Sequence, residues 1–229
     1  METLLSNPVP GLKINRKSED SVIRFSENLL DSFQVLSKRV MDILLSSLFL
    51  VFIGLWLFPI IAILIKIDSK GPVFYKQLRD GQFNTKFYCF KFRTMTFNPE
   101  GQFKQATKND PRITRIGAFL RKTSLDELPQ LINVLIGDMS IVGPRPHAVE
   151  MNIDCERKYS NYRLRHLVKP GITGLAQAKG FRGEIKKEFD MRGRLKLDLL
   201  YIEKWSFFLD IKILFLTVKG IVLDNGNAY

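Results

Sequence analysis

Between Asp42 and Lys66 the chain runs through 23 residues without a charge, ILLSSLFLVFIGLWLFPIIAILI. About 20 apolar residues in a helix cross the hydrocarbon core of a bilayer, so this run predicts a membrane helix. Pro59 lies inside it and removes a backbone donor, which favours a kink. Basic residues flank both ends, Lys38 and Arg39 before, Lys66 and Lys70 after. Such residues prefer the cytoplasmic side, and if both ends stay there the segment must turn back. The residues therefore admit two forms, a spanning helix and a re-entrant hairpin broken near Pro59 with its bent backbone shielded by protein. No small-residue cleavage pattern follows the run, so a retained anchor is expected rather than a signal peptide.

The rest of the 229 residues suffices for one further domain and one active site. Charged residues make up 25% of the chain and apolar ones 45%, near the globular average, so neither a disordered chain nor a many-helix transporter is the default expectation. The net charge of +12 suits an anionic partner: nucleic acid, a bilayer surface or a phosphorylated small molecule. Cys89 and Cys155 lack CxxC spacing, and with His147 and His166 they make no evident zinc set. A reduced, cytosol-facing domain follows. There is no internal repeat, Walker-type loop or GxGxxG.

Residues 1–35 read as a polar arm, helical near Ser26–Leu36. After Gly71 and Pro72 the alternation in VFYKQ and KFYCFKFRTM predicts two strands around a turn at Asp80-Gly81. Tyr88, Phe90 and Phe92 alternate there with Cys89, Lys91 and Arg93, so one face is expected to pack and the other to present two cations to solvent. Residues 114–136 predict helix, broken near Lys122–Asp126 and ended by Gly137. A helix is expected over about Ala148–Arg165, and another from about Lys187 to Ile221. In its second half, WSFFLDIKILFLTVKGIVL, charges interrupt the apolar residues; this predicts an amphipathic helix in the membrane interface with Trp205 as anchor.

The stretch that carries chemistry is LDELPQLINVLIGDMSIVGPRP, residues 125–146. Pro129 belongs in the first turn of a helix, which puts Asp126 and Glu127 at its N-terminus. The free donors and partial positive charge there keep a carboxylate ionised, ready to hold a metal or attack an electrophile. A plain helix cap uses the same residues, since Ser124 and Glu127 match a capping box. Arg112, Arg115, Arg121 and Lys122 upstream and Arg145 downstream, between Pro144 and Pro146, surround the pair with cations. That would suit a diphosphate substrate. Structural salt bridges would use the same groups.

KFRTM (91–95), SLDELPQLINVLIGDMSIVGPRP (124–146), RLRHLVKPGITGLAQAKG (163–180) and YIEKWSFFLDIKILFLTV (201–218), in this order, resemble the bacterial sugar transferase family of monotopic phosphoglycosyl transferases. The tail RGEIKKEFDMRGRLKLDLLYIEKWS looks most like the undecaprenyl-phosphate glucose phosphotransferase branch. Members of that branch usually carry further membrane helices and another domain ahead of the catalytic part, so this chain reads as a shortened form. The resemblance implies an α+β fold: a re-entrant N-terminal membrane helix hairpin, a small β-hairpin and a mostly helical catalytic domain with amphipathic interface helices. The implied layout is arm 1–35, anchor 36–69, cytoplasmic catalytic domain 70–221 and tail 222–229. It places the protein at the bacterial inner membrane with the catalytic domain on the cytoplasmic face. The hairpin would break at Pro59, although Phe58 stands where a serine often precedes that proline.

The implied reaction moves hexose 1-phosphate from a UDP-sugar to undecaprenyl phosphate in two steps and starts exopolysaccharide assembly. Asp126 matches the nucleophile and magnesium contact, and Glu127 the second member of the dyad, which positions or deprotonates an incoming group. Arg121 and Arg145 match positions near the phosphates; Lys91, Arg93 and Arg182 are expected phosphate or nucleotide contacts, and Asp138 a supporting carboxylate. UDP-glucose is the donor that the branch implies, with UDP-galactose or a UDP-N-acetylated sugar as the alternative. Membrane lipids are further partners, a homodimer stays open, and nucleic acid is not expected. A non-catalytic, membrane-docked anion-binding protein is the rival from another class. A phosphatase working through an aspartyl-phosphate would want DxDxT, which the sequence lacks.

Overall fold

The protein is described by a computed structural model covering residues 32–98, 107, 110–181, 183, 185 and 187–223. Most of the polar arm, Arg182 and the end of the tail lie outside these residues.

The apolar run forms α1 (Ser32–Phe49), a π turn at Leu50–Gly54 and α2 (Leu55–Asp68). Together they make 37 helical residues, long and apolar enough to cross a membrane, with only 17% of the most apolar window buried against protein. A core helix would be covered far more fully. Pro59 lies inside α2, and a departure from α geometry lies upstream of it at Leu50–Gly54. The reason is that proline both withholds a donor from the preceding turn and crowds its carbonyls, so a wider turn before it absorbs the mismatch.

Both limbs of this helix meet the folded domain. Lys38 donates to Val142 O at 2.9 Å, Arg39 to Val134 O at 2.7 Å and Leu135 O at 2.8 Å, and Asp42 accepts from Ile141 N at 2.9 Å. At the other end Ile61 and Ile65 bury against Phe92 and Leu120, and Asp68 Oδ2 accepts from Ile116 N at 2.9 Å.

The two strands form as expected: β1 (Phe74–Asp80) pairs antiparallel with β2 (Lys86–Phe92), Tyr75 opposite Lys91. The predicted faces need correction. Phe87 and Cys89 are buried while Tyr88 is 59% exposed, so the side expected to be solvated turns inward. Arg93 is also buried: it caps the C-terminus of α2, donating to Lys70 O at 2.6 Å and Ser69 O at 2.7 Å. Unsatisfied carbonyls at a helix end attract such a cation, and that outweighs exposure on the strand face.

Helix α3 (Arg115–Thr123) starts at Thr114, whose hydroxyl accepts from Gly117 N at 3.0 Å. Gly117 is required by proximity, because a Cβ there would sit 2.0 Å from Thr94 O. Ser124, in the left-handed region, ends the helix and opens a 3-10 turn, Leu125–Glu127, before α4 (Gln130–Ile136). Gly137, with φ 103°, ends α4 as expected. Next come β3 (Ser140–Val142), α5 (Val149–Lys158), a 3-10 segment at Tyr162–Leu167 and β4 (Gly171–Thr173), which pairs parallel with β3. The helix expected to reach Arg165 thus stops at Lys158.

Helices α6 (Leu175–Ala178), α7 (Glu188–Glu203) and α8 (Phe207–Leu223) complete the domain, the predicted last helix being broken at 204–206. Trp205 is not an interfacial anchor: it is buried, and its Nε1 donates to Asp210 Oδ2 at 3.2 Å. The exposed apolar stripe of α8 is Phe208, Ile211, Phe215 and Val218, while Ile213 packs into the main core with Phe87, Met139, Val142 and Tyr201. The helix is apolar on two sides because one side covers this core.

Candidate active site

The site stands where the 3-10 turn, β2 and the Pro144–Pro146 loop converge. Asn133, fully buried on α4, accepts from Phe90 N at 3.0 Å and donates to Tyr88 O at 2.8 Å. It splints α4 to the edge of β2 and so sets the Asp126–Glu127 turn beside Lys91. The capping-box hydrogen bond from the Ser124 side chain does not form. The Glu127 carboxylate is used elsewhere.

Glu127 meets Lys91 Nζ through Oε1 at 2.7 Å and Arg145 Nη1 through Oε2 at 2.9 Å, with Arg145 Nη2 also on Oε1. This is a two-pronged guanidinium–carboxylate pair with an ammonium added. Burial opposes ionisation of Glu127, but the Arg145 and Lys91 charges outweigh it and hold its pKa below the usual carboxylate range. The same pair raises the pKa of Arg145.

Asp126 has the opposite environment. Among the described residues its carboxylate makes no hydrogen bond or ion pair like those of Glu127. Burial and, less strongly, the neighbouring Glu127 charge push its pKa to about 6, against the pull of Lys91, Arg145 and Arg121. Two adjacent carboxylates are thereby differentiated: one is consumed by cations, the other retained as a reactive acceptor.

The structure thus brings together Asp126, Glu127, Lys91 and Arg145, with Arg121 near enough on α3 for its charge to act on Asp126. It does not bring Arg93, which serves α2. Arg182 lies outside the described residues. Asp138 accepts from Asn133 Nδ2 at 3.4 Å and supports the splint.

Arg79 and Arg165, absent from the expectations, donate to the carbonyls of Pro146 and Arg145 at 2.8 Å each. Nothing in their local spacing singles them out. Among the described residues there is no group of three or more His, Cys, Asp or Glu that could hold a metal by themselves. Magnesium commonly takes one or two protein carboxylates and completes its shell with water and substrate phosphate. The unclamped Asp126 carboxylate fits that use, and Glu127, its oxygens engaged by three donors, does not.

The family described as bacterial sugar transferase matches residues 33–224. The chain is similar to the UDP-glucose:undecaprenyl-phosphate glucose-1-phosphate transferase of Klebsiella pneumoniae, 49% identical over 210 residues, covering 91% of this chain and 44% of that protein. The protein of the same name from Xanthomonas campestris pv. campestris is 50% identical over 202 residues, covering 87% and 41%. The chain thus spans less than half the length of these two relatives. The exopolysaccharide production protein PSS of Rhizobium leguminosarum bv. phaseoli is 46% identical over 198 residues, covering 84% of this chain and 98% of the relative. With the profile running through nearly every described element and relatives close to half identical, the chain belongs to the bacterial sugar transferase family.

Proposed function

We propose that the protein transfers glucose 1-phosphate from UDP-glucose to undecaprenyl phosphate, releasing UMP, as the first step of exopolysaccharide assembly. The observation that carries the reaction is the division of labour in the dyad. Asp126 is unclamped, with the charges of Lys91, Arg145 and Arg121 acting on it, whereas Glu127 is clamped. A carboxylate oxygen of Asp126 attacks the sugar-proximal phosphorus, the bond from that phosphorus to the UMP oxygen breaks, and UMP departs with the electron pair. A phosphate oxygen of undecaprenyl phosphate then attacks the same phosphorus and the carboxylate leaves, restoring Asp126.

Glu127 acts as a positioning group. With its pKa held low it is a poor base, and a lipid phosphate already ionised near neutral pH needs no deprotonation. Arg145, Lys91 and Arg121 supply positive charge for the phosphate oxygens as charge moves through the transition state. Magnesium, held by Asp126 together with the diphosphate, would neutralise part of that charge. The donor follows the named relatives; UDP-galactose or a UDP-N-acetylated sugar would leave the dyad unchanged.

The apolar helix is re-entrant in this reading, and the domain lies on the cytoplasmic face of the inner membrane. What supports it is that Lys38, Arg39 and Asp42 at one end and Ile65 and Asp68 at the other all contact the same domain. A straight helix of this length would extend roughly 55 Å at 1.5 Å per residue and carry its ends to opposite sides. Labelling of single cysteines placed at Gln34 and Ser69 tests this; labelling from opposite faces of sealed vesicles would refute it. The catalytic reading is tested by UMP release over a panel of UDP-sugars with magnesium and undecaprenyl phosphate, and by mass spectrometry of a hexose-phosphate adduct formed without acceptor. Asp126→Asn should lose both, and turnover by that variant would remove the nucleophile assignment.

A further inference from the structure

Three successive carbonyl oxygens in the Pro144–Arg145–Pro146 loop each accept a hydrogen bond from a different element. Pro144 O accepts from Gly171 N at 2.9 Å, Arg145 O from Arg165 Nη2 at 2.8 Å and Pro146 O from Arg79 Nη1 at 2.8 Å. Prolines have no N–H, so on either side of Arg145 the backbone can be held only through its carbonyls. Two of the three donors are guanidiniums largely withdrawn from water. Arg165 is 3% exposed, and its Nε donates to Asp198 at 2.8 Å. Arg79 keeps a buried Nε for which no hydrogen-bond partner is found.

Removing cations from water is unfavourable, and a backbone amide would satisfy a carbonyl without that penalty. The hydrogen-bond chain that holds Arg165 ends on the residue next to Arg79. Arg165 Nη1 donates to Tyr162 Oη at 2.8 Å, Tyr162 Oη donates to Asn152 Oδ1 at 2.7 Å, and Asn152 Nδ2 donates to Asp80, the residue after Arg79. None of the hydrogen bonds found for Arg79 or Arg165 goes to Asp126 or Glu127. What they touch is the backbone that carries Arg145.

We propose that Arg165 and Arg79 are positioning residues: by holding the carbonyls of Arg145 and Pro146 they place the Arg145 guanidinium for its two-pronged contact with Glu127. This rests on the reading of Asp126, Glu127 and Arg145 as the catalytic centre. A fork-to-fork contact is exacting, because both nitrogens must meet both oxygens, and a loop displaced by about 1 Å keeps at most one of the bonds. The lost alignment is paid in turnover, since the dyad then meets the phosphates in the wrong geometry.

The test is a double-mutant cycle on the full-length protein in vesicles, reading kcat and KM for UMP release from UDP-glucose, with thermal unfolding alongside. Arg165→Lys keeps a charge for Asp198, but one ammonium on a shorter stem cannot replace the fork. It is expected to lower kcat about tenfold with KM changed less than about twofold, and to cause no further loss in an Arg145→Met background. Losses that multiply in the double variant, or an unchanged kcat in Arg165→Lys, overturn the positioning role alone. Wild-type kcat in Arg145→Met overturns the catalytic reading and this proposal with it. Should Arg165→Lys fail to give a cooperative thermal transition, Arg79→Gln on β1 carries the same cycle with the same two outcomes.

Discussion

A charge pair removed from water joins the apolar helix to the domain that carries the site, and its removal gives a sharp test of the architecture. Asp210 is fully buried and lies 2.6 Å from Lys38 Nζ, whose side chain is 17% exposed. Tyr201 Oη and Trp205 Nε1 donate to the same carboxylate at 2.8 and 3.2 Å. Asp210→Leu would leave an ammonium and an indole N–H without this acceptor, and breaking one side of a buried pair costs about 3–5 kcal/mol. The partial exposure of Lys38 lets its charge recover some water, so the lower end, about 3 kcal/mol, is expected.

Lys38→Met leaves the carboxylate with two neutral donors and should cost about 2 kcal/mol. The double variant removes both charges. Tyr201 Oη still has Val142 O at 3.2 Å, so the net loss should fall to about 1–2 kcal/mol, a coupling of roughly 3–4 kcal/mol. Denaturant unfolding in detergent, followed by tryptophan fluorescence, measures all four corners. A double variant as unstable as the sum of the singles would refute the pair as the clasp between helix and domain.

Three further outcomes follow from the site and its supports. kcat/KM for UMP release should fall as pH drops below about 6, because in the proposed mechanism Asp126 attacks as a carboxylate and its raised pKa lets it take up a proton there. Glu127→Gln removes a like charge beside Asp126 and should move that acid limb to lower pH, while the loss of their carboxylate partner by Lys91 and Arg145 lowers kcat about 100-fold; an acid limb moving upward would contradict the assigned coupling. Gly117→Ala drives a Cβ to 2.0 Å from Thr94 O, backbone against helix, and should destabilise the protein by about 3 kcal/mol in the same unfolding assay.

Much of the site was readable because its chemistry is local in sequence. Asp126 and Glu127 are adjacent, Ser124 and Gly137 punctuate the helices around them, and Arg145 is marked by two prolines. Lys91 was picked out from strand alternation, yet its face was assigned to solvent. Alternation says that a strand has two sides; it cannot say that α4, through Asn133, covers the edge beside one of them. Arg93 was misplaced for a similar reason, since the carbonyls it caps come from α2, more than 20 residues away. Trp205 read as an anchor because the burial of Asp210 beside it depends on Lys38 from the far end of the chain.

Periodicity, helix punctuation and an uncharged run act over a few residues, so the sequence by itself determined the apolar helix, the β-hairpin, the break before the dyad and the candidate carboxylates. Only tertiary structure decided which carboxylate is clamped and which stays unclamped. That outcome depends on charges from β2 and from the Pro144–Pro146 loop meeting Glu127 rather than Asp126. It likewise decided that both limbs of the apolar helix meet one domain. Electrostatic and packing energies depend on distance in space, and the chain order carries no record of it.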